Sequence, residues 1–133
     1  MLNFKHDRDR EMFTFLNPIL IMIYADLFSY AKEKHNVELV VTDTISTPER
    51  DSSYNRTSSS HLEARAIDIR TKDLDAFVVN DLVKYVNSKP EYARFKYMSR
   101  SGERRLAYFH IGTHQHIHLA LHSKFALPSI TKL

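Results

Sequence analysis

The chain has 133 residues, 43% of them hydrophobic and 26% charged, which fits one folded domain over residues 1–133 and excludes wholesale disorder. Cysteine is absent and glycine occurs only 2 times, so disulfide scaffolds, thiol nucleophiles, iron–sulfur clusters, cysteine zinc sites and glycine-rich phosphate loops are excluded. Lys and Arg total 19 against 16 Asp and Glu, giving a formal charge of +3, a mild basic excess that suits an anionic partner without choosing one. Any metal must be held by His, Asp or Glu, and five of the 8 histidines fall between His110 and His122.

The opening MLNFKHDRDREMF mixes both signs and lacks the form of a secretory signal. Met12 to Ala31 approaches membrane-spanning length, but Asn17-Pro18 and Asp26 interrupt it, so a buried helix is expected rather than membrane insertion. Asn17 would cap that helix with Pro18 in its first position, and Lys32, Lys34 and His35 would fall in its last turn. Val37 to Thr42 is β-branched and reads as a strand. Asp43 to Ser60 is a polar loop with one helical turn after Thr47-Pro48, and Ala66 to Arg70 is a second strand. Thr71 or Asp73 would cap a helix reaching Ser88, on which Leu74, Phe77, Val78, Leu82, Val83 and Val86 keep helical spacing. Arg94–Met98, Leu106–Ile111 and His116–Leu121 are further strand candidates, the first two joined by a turn at Ser101-Gly102. The expected class is α+β, two main helices on a small, mostly antiparallel sheet.

Alternation places His116 and His118 on one face of the last strand and Ile117, Leu119 and Leu121 on the other. The apolar face has a core to bury; two imidazoles opposite it are either a solvated pair or ligands. Asp68 sits between Ile67 and Ile69, where a carboxylate is costly unless paired or bound to a metal. Arg65 or Arg70 could pair with it. His61, seven residues earlier after a polar loop, could also converge on it. Together, His61, Asp68 and His118 offer two imidazoles and one carboxylate with a fourth position open, as in catalytic zinc sites. Non-haem iron uses the same ligand types, usually with a shorter HxD spacing on one strand. His110 reads as an ordinary strand residue, His6, His35 and His122 as surface residues, and Asp26 as a capping or pairing residue.

The segment Ser59-x-His61-x-x-Ala64-x-Ala66-x-Asp68, followed by His116-x-His118 near the C-terminus, resembles the SxHxxGxAxD and HxH signatures of the zinc D-alanyl-D-alanine carboxypeptidase and dipeptidase family. That family includes the L-alanyl-D-glutamate endopeptidases of phage lysins. The helix, strand and TPE-containing loop of residues 17–50 fit it too, so the likeness runs from about residue 17 to 121. The resemblance implies a hedgehog/D-Ala-D-Ala peptidase-like fold and one Zn2+ held by His61, Asp68 and His118. It also implies that Ser59 steadies the first ligand's loop and that His116 stabilises an oxyanion or shuttles a proton. The implied substrate is a peptidoglycan stem peptide cut at an amide, as in a phage or prophage lysin made in the cytoplasm and acting on the cell wall after release or from a virion.

Three positions depart from that pattern. Ala64 replaces a glycine, which matters if the backbone there needs positive φ. Gln115 stands where the family places an acidic general base, and an amide cannot take a proton; His114, His116 or Glu63 would have to substitute. Ser46 stands where many members carry a carboxylate-binding arginine, leaving Arg56, or Arg50, for that role. The alternative reading is therefore a catalytically weak or inactive zinc-binding module that binds cell-wall peptide or a protein partner. No recognised motif interleaves the aromatic residues with Lys or Arg, so nucleic acid is not an expected partner. A monomer is expected.

Overall fold

A computed structural model of the protein describes residues 2–111 and 114–128. In chain order it contains β1 (Asn3–Phe4), α1 (Asp7–Phe13), α2 (Pro18–His35), β2 (Val40–Asp43), α3 (Pro48–Ser53), β3 (Ala66–Arg70), α4 (Ala76–Ser88), a 3-10 segment (Pro90–Phe95), β4 (Tyr97–Met98), β5 (Arg104–Arg105), β6 (Ala107–His110), β7 (His116–Ala120) and a 3-10 turn (Ser123–Phe125). Five strands form a mixed sheet in the order β1-β2-β3-β7-β6. Only β1 and β2 run parallel; the other pairings are antiparallel. The α+β class and the mostly antiparallel sheet are as the sequence indicates.

The apolar stretch after Met12 is not one helix. Asn17 precedes a proline, which disfavours the helical region, and it adopts an extended conformation (ψ 127). There its side chain caps α2 through the Ile19 N–H at 2.9 Å and donates to the Phe125 carbonyl at 2.7 Å. The residues before it form α1, bent by 120° from α2, and no single helix among the described residues is long and apolar enough to cross a membrane. Asn36, left-handed at φ 54, closes the far end of α2.

Three expected boundaries shift for local reasons. The strand expected from Val37 begins at Val40. The second main helix starts at Ala76, because residues 71–74 make a turn (Leu74 N–H to Thr71 carbonyl, 2.9 Å) and Asp73 pairs with Arg70 instead of capping. Of the expected strand Arg94–Met98 only Tyr97–Met98 is extended, as β4; Arg94 and Phe95 end the 3-10 segment, whose three-residue period buries both Tyr92 and Phe95. Gly102, at φ 86, turns the chain, but the turn joins β4 to β5 in a separate two-stranded ribbon, and β6 then enters the main sheet.

One sheet face carries Val41, Ile67, Ile69, Ile117 and Leu119, which pack in one core with Leu20, Ile23, Tyr24 and Leu27 of α2 and Val78, Val79, Leu82 and Val86 of α4. The two helices are also joined by polar contacts. Asp26 accepts from Tyr85 (2.7 Å), Lys89 (2.7 Å) and Tyr92 (2.5 Å), while Asp81 accepts from Tyr30 and lies 2.7 Å from His35 Nε2. His35 is thus a partly buried interhelical residue, correcting its reading as a surface one. Partial burial raises the Asp26 pKa, but the bonds from Lys89, Tyr92 and Tyr85 outweigh it and hold the group below the usual carboxylate range.

A depressed folded pKa stabilises above the unfolded value and loses that contribution as pH falls through the folded one. Asp26→Asn should therefore cost about 1–2 kcal/mol at neutral pH. The gap to the parent should narrow once pH drops below about 4, where the unfolded carboxyl protonates. Urea unfolding at several pH values checks this; a gap constant down to strongly acid pH would show that charge plays no part.

Candidate metal centre

The sheet face opposite the core is polar because the strand registers align its side chains. Asp43 lies opposite Asp68, Asp68 opposite His118, and His118 opposite Tyr108, forming a row across β2, β3, β7 and β6. The next row places Arg70 opposite His116 and His116 opposite His110. Ile67, Ile69, Ile117 and Leu119 take the alternate positions, fully buried, so the core fixes which way the acid and the imidazoles point.

His61 reaches this row from the turn before β3. The Ser46 and Ala64 N–H groups both donate to its carbonyl at 3.2 Å. Its Nδ1 lies 2.7 Å from the Thr44 carbonyl, which only accepts, so Nδ1 carries the hydrogen and Nε2 faces the site. Thr44 is held in turn, its hydroxyl donating to the fully buried Asp9 at 2.6 Å. His61 Nε2 lies 3.1 Å from Asp68 Oδ1, and His118 Nδ1 lies 3.0 Å from the same oxygen. His61, Asp68 and His118 each bring a ligand atom within 4.8 Å of the others, and they form a group that can hold one metal ion.

The donor chemistry fits an ion. Two ligands bonded at about 2.0–2.1 Å in tetrahedral geometry stand about 3.3 Å apart, close to the 3.1 and 3.0 Å that separate His61 and His118 from Asp68. With Nδ1 already donating to Thr44, His61 Nε2 needs a second proton to bond the carboxylate, and a cation between them takes that proton's place. The charges agree. Burial lowers the His61 pKa, but the Asp68 carboxylate more than reverses this and raises it. Burial raises Asp68, yet His61 and His118 hold it well below the ordinary carboxylate value. Burial lowers His118, and the shared carboxylate does not restore it.

The other expected site residues are placed as follows. His116 is half-buried, with Nε2 3.5 Å from Asp68 Oδ1 and Nδ1 2.8 Å from the His114 carbonyl. The side chains of His114 and Gln115 are exposed on the cleft rim. Ser59 is exposed and contributes its carbonyl to the Glu63 N–H at 3.0 Å. The hydroxyl that faces the metal group belongs instead to buried Ser60, 3.5 Å from His118 Nε2. Glu63 is bound by Arg65 at 2.7 Å and does not line the cleft. Arg65 and Arg70 pair with Glu63 and Asp73, so neither neutralises Asp68.

The guanidinium nearest Asp68 is Arg56, 3.6 Å from Oδ2. Its fork is filled by Asp43 and by Asp51 at 3.2 Å, while Arg50 binds the other oxygen of Asp43 at 2.8 Å. Arg56 therefore stands beside the site with its donors already committed. The wider cleft takes basic side chains from several segments, Arg8, Arg70, Arg100 and Arg105 among them, against the acids Asp9, Asp43 and Asp68.

Ala64 shows what its replacement of glycine entails. It is buried at φ 58 in the left-handed region, and its carbonyl accepts the Asn17 N–H at 3.0 Å. That conformation costs an L-residue about 1–2 kcal/mol, so a strained residue holds the turn between two of the ligands. Comparison with protein-family models, curated proteins and solved structures finds no match.

Two outcomes follow from this geometry. In Ala64→Gly, relief of the strain should roughly offset the lost methyl and the added chain entropy, leaving stability within about 0.5 kcal/mol of the parent. Ala66→Gly, in the regular strand next door, should cost about 1.5 kcal/mol; equal losses in denaturant titrations would refute strain at 64. A divalent transition-metal ion at 100 times its Kd should stabilise the protein by about 2.7 kcal/mol. Thermal melts should lose that gain in His61→Ala and His118→Ala, and a gain retained in both would place the ion elsewhere.

Proposed function

We propose that the protein is a zinc-dependent peptidase that hydrolyses an amide bond in bacterial peptidoglycan stem peptides. The observation that carries the reading is the meeting of His61, Asp68 and His118 from two strands and a turn, at the floor of an open, largely basic cleft. Two imidazoles and a carboxylate suit zinc, and three protein ligands leave a position for a reacting group. When bound, the ion supplies a Lewis acid that brings a water's pKa to about 7 and polarises a carbonyl. The basic cleft suits a substrate carrying carboxylates and, more widely, an anionic cell wall. A phage or prophage lysin reaching the wall after release or on a virion is the setting that fits.

The chain's own residues supply a proton acceptor despite Gln115. Because His116 Nδ1 faces the His114 carbonyl at 2.8 Å, it holds a hydrogen there and turns Nε2 toward the site, 3.5 Å from Asp68 Oδ1. An imidazole so oriented is placed to take a proton from a water at the site and return it to the leaving amine. Thr44 and Asp9 keep the His61 ring from turning, and Ser60 offers a hydroxyl beside His118. The second reading, a zinc-binding module without catalysis, is favoured by one fact. Among the described residues the cleft's acids are Asp9, Asp43 and Asp68, and all three are engaged in ion pairs or hydrogen bonds.

Purified peptidoglycan and synthetic stem peptides separate the two. The peptidase should bind zinc stoichiometrically and release new amines, and His118→Ala should abolish both. His116→Ala should retain zinc and lose about 100-fold or more in rate. Gln115→Glu should keep or raise activity, and its inactivation with zinc still bound would refute the proposed alignment of that position. Stoichiometric zinc without amide cleavage by the parent would leave the binding module.

A further inference from the structure

Resting on the peptidase reading, we infer that Arg105, set between Tyr97 and Tyr108, binds a carboxylate of the substrate peptide and anchors it at a distance from the metal group. The arginines of the cleft differ in what they already hold. Arg8 binds Asp9 and the Ile45 carbonyl, Arg50 and Arg56 share Asp43, and Arg65 binds Glu63 and the Leu121 carbonyl. Arg105 is half-buried yet makes one hydrogen bond among the described residues, from Nε to the Tyr97 hydroxyl at 3.3 Å. Its nearest acid, the exposed Glu103, stands 3.8 Å from Nη1, beyond hydrogen-bond reach. Both terminal nitrogens therefore keep the donor pattern that matches a carboxylate in two-pronged fashion.

The side chain is nonetheless fixed in place. Its guanidinium lies over the Tyr108 ring, 4.2 Å from the centroid, and its Nε donates to the Tyr97 hydroxyl. Preorganisation of this kind lowers the entropy lost when an anion binds. Tyr108 also fixes the separation from the chemistry. Its ring centroid lies 5.4 Å from that of His118, so one aromatic ring separates the guanidinium from a metal ligand. Those two steps place Arg105 within about 10 Å of His118, the reach of about three extended residues. A carboxylate up to two or three residues from the scissile amide is therefore within its reach. The site thus favours a peptide that carries a free carboxylate within that reach of the cleaved bond.

The test uses the zinc-loaded full chain, a synthetic stem peptide with free carboxylates, and the same peptide with them amidated. Calorimetry should show the parent binding the acid form about 10-fold or more tightly than the amide. Arg105→Ala should erase that preference by weakening the acid form alone, and Arg105→Lys should restore part of it. In kinetics the loss should appear in KM more than kcat, with thermal stability close to the parent. Equal weakening of both peptides by Arg105→Ala, or no parental preference between them, would overturn the inference. Cleavage with no change on removing Arg105 defeats the anchor and leaves the peptidase standing. Carboxylate-selective binding through Arg105 without cleavage does the reverse.

Discussion

The carboxylate of Asp68 lies in the middle of an apolar strand, its neighbours Ile67 and Ile69 fully buried, and the surrounding chain is arranged to meet that electrostatic cost. A bare charge so placed would neutralise itself by taking up a proton. Here two imidazoles converge on one of its oxygens and a guanidinium approaches the other, so the ionised form persists. Two of these three helpers are fixed from behind: His61 by the Thr44 carbonyl, Arg56 by Asp43 and Asp51. The polar cluster is built outward from this acid, and its rigidity comes from the packed core beneath the same strands.

Asp43 plays the complementary part. It lies one strand away from Asp68 in register and gathers Arg50 and Arg56, with Arg8 at 3.9 Å. Much of the positive charge that sequence alone assigns to an anionic partner is spent inside the protein on this residue. Charge counts therefore overstate how many basic groups can meet a ligand, and the separation between committed and uncommitted guanidiniums matters more than their number. α1 belongs to the same arrangement, since Asp9 supports Thr44 from the far side.

Alternation along AIDIR and HIHLAL was enough to assign their faces, because a strand period of two leaves little choice once the apolar side is known. The capped start of α2 was equally legible, as Asn-Pro specifies a local conformation without help from distant residues. The turn holding His61 was legible only as a place where convergence was possible; its closure depends on Ser46 and Asn17, which are far off in sequence. Thr44, Ser60 and Tyr108 carried no signal, since a carbonyl, a hydroxyl and a ring become relevant only when registers align. Arg56 shows the opposite limit. Its identity and position marked it as a carboxylate grip, but spacing could not reveal that Asp43 and Asp51 occupy its donors. The 3-10 segment at Pro90–Phe95 was not legible, because Tyr92 and Phe95, a single apolar pair three apart, are too few to establish a helical period.

The ribbon of β4 and β5 stands apart from the main sheet, each strand only 2 residues long and joined by a glycine turn. Tyr97 and Arg105 both belong to it, whereas the candidate metal group rests on β3, β7 and the turn that precedes β3. On the proposed reading, the part of the molecule that would read the ligand is thus an appendage on the part that would react with it. A change of length in so short a hairpin would redirect the guanidinium without disturbing the central strands, so what the cleft recognises can be altered separately from the polar cluster on the sheet.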